Sequence, residues 1–146
     1  MHKILSFSIK DITLYKTALN IREKVFVEEQ KVARLLEVEN EESATFYLLF
    51  VDEIAVGTGR WRKTKSGIKL ERFAILPEYR NKNLGTVLLK KVLADLEQQS
   101  GNIYLHSQLK AIPYYERQGF RKIGDLFVEA GIKHFEMIKS LNRMEK

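Results

Sequence analysis

Leu76-Pro77-Glu78-Tyr79-Arg80-Asn81-Lys82-Asn83-Leu84-Gly85-Thr86 is the segment whose residue types and spacing speak most directly of chemistry. It lies between an apolar, β-branched run and the strongest helical pattern in the chain. A short Arg/Lys/Gly loop that opens a helix turns unpaired backbone N–H groups, and the positive end of the helix dipole, toward one point. That arrangement binds phosphate. Arg80 and Lys82 add side-chain charge, and Gly85, with no Cβ, lets the backbone approach a ligand closely. The alternative is an ordinary strand-to-helix connection with solvated basic residues. The charge distribution bears on the choice: from Arg60 to Lys91 there are ten Lys and Arg residues against Glu71 and Glu78, within a chain of net charge +6. This third of the chain attracts anions. Glu37, Glu39, Glu41 and Glu42 form an acidic run just ahead of an apolar segment, readable as a site for a cationic acceptor or as a solvated face. With no cysteine there is no thiolate nucleophile, disulfide or thiolate metal site. His2, His106 and His134 have no metal-ligand spacing, so no metal is expected.

The elements that must carry this loop follow from periodicity. Ser6 to Ile9, with Ile4 and Leu5, reads as a first strand, and Asp11 or Thr13 offers an N-cap for a helix through Leu14, Ala18, Ile21, Val25 and Phe26 that ends near Gln30. Residues 31–43 read as a loop with a helical turn. Thr45–Val51 and Ile54–Arg62 form a hairpin around Asp52-Glu53, and Ile68–Leu76 is the next strand of the meander, ended by Pro77. Leu84, Leu88, Val92 and Leu96 recur every four residues and predict a helix stopped by Gly101. Ile103–His106 is a short strand. Leu109–Gln118 is a short helix with Pro113 near its start and Gly119 as a left-handed C-terminal residue, followed by a strand from Phe120. Phe127-Val128 and Lys133–Ile138 close the order β-α-(loop)-β-β-β-α-β-α-β-β. At 146 residues, 45% hydrophobic, the chain fits one domain with a real core. The start lacks the apolar stretch and cleavage site of a secretory signal, and no run of about 18 apolar residues appears, so a soluble cytoplasmic protein without a membrane partner is expected.

Arg80-Asn81-Lys82-Asn83-Leu84-Gly85 resembles the pyrophosphate-binding signature Gln/Arg-x-x-Gly-x-Gly/Ala of the GNAT acetyltransferases, with Asn83 in the place of the first glycine. Asparagine visits the left-handed region more readily than most residues. Ala111-Ile112-Pro113-Tyr114-Tyr115-Glu116-Arg117-Gln118-Gly119-Phe120 is similar to the second motif, Ala-x-x-Phe-Tyr-Glu-x-x-Gly-Phe. Ile21–Gln30 together with Gly131-Ile132-Lys133-His134 looks like the ElaA-like branch of the family. The resemblance spans about Ile21 to Met137 and implies a single GNAT domain over residues 1–146. Its fold would be α/β (α+β): a mixed central sheet, flanked by helices, that splays between its fourth and fifth strands. It implies an N-acetyltransferase in which acetyl-CoA is cosubstrate. Main-chain groups of Phe73, Ala74 and Ile75 would pair with the pantetheine arm, Arg80, Asn81, Lys82, Asn83, Leu84, Gly85 and Thr86 would hold the pyrophosphate, and Gln108 would touch the arm.

Acyl transfer to a primary amine needs a base for the ammonium, a donor for the departing thiolate and an N–H for the oxyanion. The resemblance makes Tyr115 the candidate acid, with half-buried packing as its alternative. Glu71 is the candidate base, directly or through water, with cross-strand pairing to the nearby cations as its alternative. His106 and His134 are further candidates because imidazole titrates near neutrality. Tyr114 and Trp61 read as packing residues, and Arg22 as a ligand of substrate, of a core carbonyl or of a carboxylate of the fold. The acceptor that the resemblance implies is the primary amine of a small molecule or peptide that the sequence does not identify. A non-catalytic acyl-CoA-binding or nucleic-acid-binding module and a GNAT using a longer acyl-CoA are the competing readings. Because the basic residues bracket one loop rather than form a stripe interleaved with aromatics, a nucleic-acid partner is not expected. A second copy of the chain stays open as a partner.

Overall fold

The computed structural model describes residues 2–30, 41–99 and 101–140. The run Glu37, Glu39 and the proposed turn in residues 31–40 lie outside the described residues. Seven strands form one sheet: β1 (His2–Phe7), β2 (Thr45–Val51), β3 (Ile54–Thr64), β4 (Gly67–Ile75), β5 (Asn102–Gln108), β6 (Arg121–Glu129) and β7 (Ile132–Ser140). Their order across the sheet is β1-β2-β3-β4-β5-β7-β6, with every neighbouring pair antiparallel except β4 and β5. The helices are α1 (Ile12–Arg22), α2 (Leu84–Asp95) and α3 (Ile112–Arg117). This is the mixed, helix-flanked sheet expected from the sequence.

Asp11 caps α1, its carboxylate accepting from the Leu14 N–H at 3.2 Å. The helix does not run to Gln30 as one α-helix. It widens over Glu23–Glu29 into π turns, with the Gln30 N–H donating to Val25 O five residues back. The β2–β3 turn places Asp52 and Glu53 both at positive φ, 47° and 71°, as a two-residue hairpin turn requires. The second helical motif divides at Pro113: Leu109–Ala111 is a 3₁₀ turn and α3 follows, with proline in its first turn. Strand β6 is longer than the sequence pattern indicates, because a register shift between Ile123 and Phe127, with Gly124 at φ 73°, interrupts its alternation.

Alternation along β2 sends Tyr47 and Leu48 to opposite faces of the sheet. Tyr47 joins the core built on Leu88, Leu89, Val92 and Leu96 of α2 and its C-cap, with Leu70, Leu105 and Met137. Leu48 joins Ala18, Ile21 and Val25 of α1 and its extension. The α2 residues that repeat every four positions are thus its buried stripe, each contributing on the order of 1.5–3 kcal/mol by leaving water.

One irregularity in β4 matters for the site. Leu70 and Ala74 are four residues apart, a spacing that normally keeps side chains on one face, yet Leu70 belongs to the α2 core and Ala74 to the α1 core. The register moves from Arg60 opposite Glu71 to Thr58 opposite Ala74, so Arg72 and Phe73 together oppose Gly59. Arg72 is in the left-handed region at φ 59°. This bulge inverts the side-chain faces and brings Phe73 back to the α2 side.

Candidate active site

Strands β4 and β5 form a V. Their parallel pairing consists of Ile68 with Ile103 and Lys69 with Tyr104. The closed end is pinned by a 2.6 Å hydrogen bond between Thr64 Oγ1 and the Tyr104 hydroxyl, and by Gly67 at φ 134°, where a Cβ would stand 2.6 Å from Asn102 O. Past Lys69 the strands part. The β4 edge from Glu71 to Ile75 then faces a gap instead of a strand, as expected for a sheet splayed between its fourth and fifth strands.

Two cavities open from this gap and share Phe73, Leu89 and Tyr115 in their walls. The larger, about 260 Å³, lies on the α1 side and is lined by Phe26, Gln30, Glu71, His106, Gln108, Glu129 and His134 among others. At its rim Gln108 Nε2 donates to Gln30 Oε1 at 3.1 Å, joining the end of β5 to the end of the first helix. The smaller, about 110 Å³, lies on the α2 side against Ala74, Ile75, Gly85, Leu88 and Tyr114. Tyr115 is thus common to the walls of both cavities.

The loop that opens α2 adopts the geometry its sequence requires. Asn81 and Asn83 both lie at positive φ, 64° and 61°, and Asn83 is the N-cap residue, its ψ 16° completing a left-handed conformation. Asparagine thus occupies the backbone position that glycine would take at no cost. A Cβ on Gly85 would find only Ile75 Cγ1, at 3.9 Å, so the space beside the first turn of α2 is open. The basic side chains are partly committed within the protein. Arg80 Nε donates to Ile75 O at 2.9 Å, tying the loop back to the end of β4, and Lys82 Nζ lies 5.6 Å from the Tyr79 ring centroid. Thr86 Oγ1 donates to the Tyr114 hydroxyl at 3.3 Å across the smaller cavity. Tyr114 is therefore both packed and cavity-lining.

Residues 11–141 match the acetyltransferase (GNAT) domain family. The chain belongs to the GNAT acetyltransferases. It is 34% identical over 127 residues to the uncharacterized N-acetyltransferase YjcF of Bacillus subtilis, an alignment covering 85% of this chain and 91% of that protein. The solved structure of an acyl-CoA N-acyltransferase from Pseudomonas aeruginosa superposes with TM-score 0.86 at 23% identity, covering 96% of this chain and all of that one, and Escherichia coli ElaA with TM-score 0.85 at 19% identity and the same coverage. A PaiA N-acetyltransferase from Thermoplasma acidophilum, solved with coenzyme A, has TM-score 0.69 at 17% identity over 96% of this chain and 99% of that one. These structures share the fold; the sequence match makes this GNAT protein an acyltransferase.

In this GNAT acyltransferase the candidate acid and base have very different surroundings. Tyr115 is half-buried, its ring edge-on to Tyr114 at 5.0 Å and to Phe120 at 5.9 Å, and among the described residues nothing hydrogen-bonds its hydroxyl. Burial pushes its pKa upward, so the phenol stays protonated and able to donate. Glu71 is on the cleft wall, yet Arg60 Nη2, Arg62 Nε and Lys69 Nζ hold its carboxylate at 2.6, 2.8 and 3.3 Å. Burial alone would raise its pKa; the charges of Arg60, Arg62 and Lys69 and the Arg62 hydrogen bond outweigh it and hold the group below the usual carboxylate range. A carboxylate so held accepts a proton poorly, and the position answers to the cross-strand alternative. The network continues through Arg60 to Glu41, which also takes Arg22 Nη1 at 2.8 Å and the Tyr15 hydroxyl at 2.8 Å. Arg22, 1% exposed, is a ligand of a carboxylate of the fold. Trp61 packs against the α2 core and donates to the Tyr47 hydroxyl at 3.1 Å.

Glu129 on the cleft wall and Phe127, packed against the two cleft histidines, escape sequence reading. Glu129 sits beside the tight Ala130-Gly131 turn, both residues at positive φ, and its carboxylate reaches across β7 to His106 Nδ1 at 2.8 Å. That hydrogen bond holds its pKa down at about 2, against the upward push of burial. Phe127 lies between the two histidines, edge-on to His106 at 5.0 Å and stacked on His134 at 5.8 Å. The register of β6 on β7 and of β7 on β5, which brings Glu129 to His106, is a tertiary property.

Proposed function

We propose that the protein is a single-domain N-acetyltransferase that transfers the acetyl group of acetyl-CoA to the amine of a small molecule or peptide, in the cytoplasm, and that it belongs to the ElaA-like branch of its family. The observation that carries this reading is the continuous path from the open first turn of α2, along the edge of β4 that faces the gap, to Tyr115. Backbone N–H groups of Asn83, Leu84, Gly85 and Thr86, with Lys82 and the loop held by Arg80 and Asn81, would receive the pyrophosphate. Phe73, Ala74 and Ile75 would pair with the pantetheine amides as an added strand. Gln108, engaged with Gln30, would border the reacting end. Tyr115 would protonate the departing thiolate. Glu71 keeps its charge on the cleft wall, and its part would be to set the local field.

The test is thermal unfolding of the purified protein with acetyl-CoA, longer acyl-CoA thioesters, CoA and adenine nucleotides lacking pantetheine, followed by thiol release over an amine panel. A ligand that binds only the folded state raises the melting temperature by mass action. CoA species should stabilise more than the nucleotides, and no shift with any CoA species at millimolar concentration would sink the reading.

A further inference from the structure

Two histidines share the cleft wall, and their hydrogen bonds make them chemically unequal. His134 is 7% exposed, and its Nδ1 lies 2.7 Å from Ile132 O. A carbonyl oxygen can only accept, so Nδ1 carries the proton and the neutral ring has its lone pair on Nε2. Among the described residues nothing bonds that nitrogen, and the side chain lines the 260 Å³ cleft. Phe127 stacked on one face fixes the ring plane. His106 is differently placed: Nδ1 meets Glu129 at 2.8 Å and Nε2 faces Glu136 at 3.7 Å, so both nitrogens are turned toward carboxylates.

We infer that His134 Nε2 is the proton acceptor for the acceptor amine and that the Glu129 carboxylate, held in place by His106, binds the ammonium beforehand. This deepens the N-acetyltransferase reading and rests on it. The ammonium gives one proton to Nε2, and its freed lone pair forms the C–N bond to the acetyl carbon. The C–S bond breaks with its electron pair on sulfur, which takes the Tyr115 proton. The second amine proton replaces that of Tyr115 through water, and His134 releases the first to solvent, so one amide, one thiol and one proton result. The other charged groups on the cleft are Lys69, Glu71 and Arg72 of β4, His106 of β5, Lys110 just beyond it and Glu129 of β6. Lys69 and Glu71 pair with each other.

The experiment uses the full chain, acetyl-CoA and methylamine as the probe amine. His134→Asn keeps a donor for Ile132 O and removes the base. It is expected to bind acetyl-CoA as the wild type does, to lose about 10²–10³-fold in kcat at pH 7, and to regain rate as rising pH supplies free amine. Glu129→Gln is expected to raise KM for methylamine with a smaller effect on kcat. In protein carrying ¹⁵N-histidine, Nε2 of neutral His134 should show the shift of an unprotonated ring nitrogen and move on addition of methylammonium. An unchanged rate and pH profile for His134→Asn, a loss that does not depend on pH, or a proton found on Nε2 of the neutral ring would each overturn the assignment. Wild type that fails to bind acetyl-CoA would instead remove the underlying reading, so the two failures are separable.

Discussion

A Cβ placed on Gly59 would lie 2.7 Å from the ring of Phe73, the residue that the β4 bulge swings into the wall of both cavities. Strand β3 has no room for a side chain there because two residues of β4 stand opposite one. Replacing Gly59 with alanine should push the Phe73 ring into the gap. We expect Gly59→Ala to cost about 1–3 kcal/mol of stability, the usual range for overpacking, and to weaken acetyl-CoA binding as well. Urea denaturation and calorimetric titration measure the two effects, and a variant with unchanged stability would mean that the bulge yields easily.

The loop makes a contrasting pair of substitutions informative. Gly85→Val should leave the unliganded protein folded, because a Cβ there meets only Ile75 Cγ1 at 3.9 Å, and should strongly reduce CoA affinity by filling the space beside the helix terminus. Asn83→Gly should bind CoA as well as the wild type or better, since φ 61° suits glycine, while Asn83→Val should lose on the order of 1–2 kcal/mol in the left-handed region. Equal CoA affinity for wild type and Gly85→Val takes residues 80–86 out of the site.

Tyr115→Phe removes a hydroxyl and keeps the ring contacts with Tyr114 and Phe120. Turnover is expected to fall by about ten- to a thousandfold with CoA affinity nearly constant, the range for losing one general acid of moderate importance. Single-turnover transfer at saturating acetyl-CoA decides it, and matching rates withdraw Tyr115 from the mechanism.

The buried network Arg22, Glu41, Arg60 and Glu71 predicts a pH-dependent stability. Glu71 titrates below its ordinary value of 4.5, so its contribution is fully present above that pH and is lost as pH falls toward its depressed folded value. Arg60→Met leaves Glu41 and Glu71 buried without their shared partner and should cost about 3–5 kcal/mol at pH 7, with acid unfolding beginning at higher pH. Adding Glu71→Gln should recover part of the loss. Urea midpoints at pH 7 and pH 4 check the sign; a variant whose stability gap to wild type widens on acidification contradicts the linkage.

Much of this architecture is legible in the chain because it depends on local periodicity. The four-residue repeat from Leu84 to Leu96 names the helix and its buried stripe without reference to anything distant. Asp11, Pro113 and Gly119 act through the backbone within a turn of themselves, and Asn83 could be assigned a left-handed conformation from its type and its motif. Glu129 and Phe127 could not be found this way. Their partners His106 and His134 are reached across strands, and Gly124 breaks the alternation that would have marked the strand. The bulge at Arg72 was equally hidden, because arginine rarely adopts positive φ and nothing local requires it.

By itself, then, the sequence determined the order of elements, the basic loop of residues 80–86 that opens α2 and the family motif that holds Tyr115. The tertiary structure decided how the charges are spent. Glu71 and His134 are both titratable strand residues on the cleft wall, and the sequence offers each as a base. Packing Arg60, Arg62 and Lys69 around Glu71 stabilises its anion and lowers its affinity for a proton, while Ile132 O, by accepting from Nδ1, leaves the lone pair of His134 on its other nitrogen. Proton affinity is set by the neighbours a group acquires on folding, and those neighbours come from strands whose register no local pattern encodes.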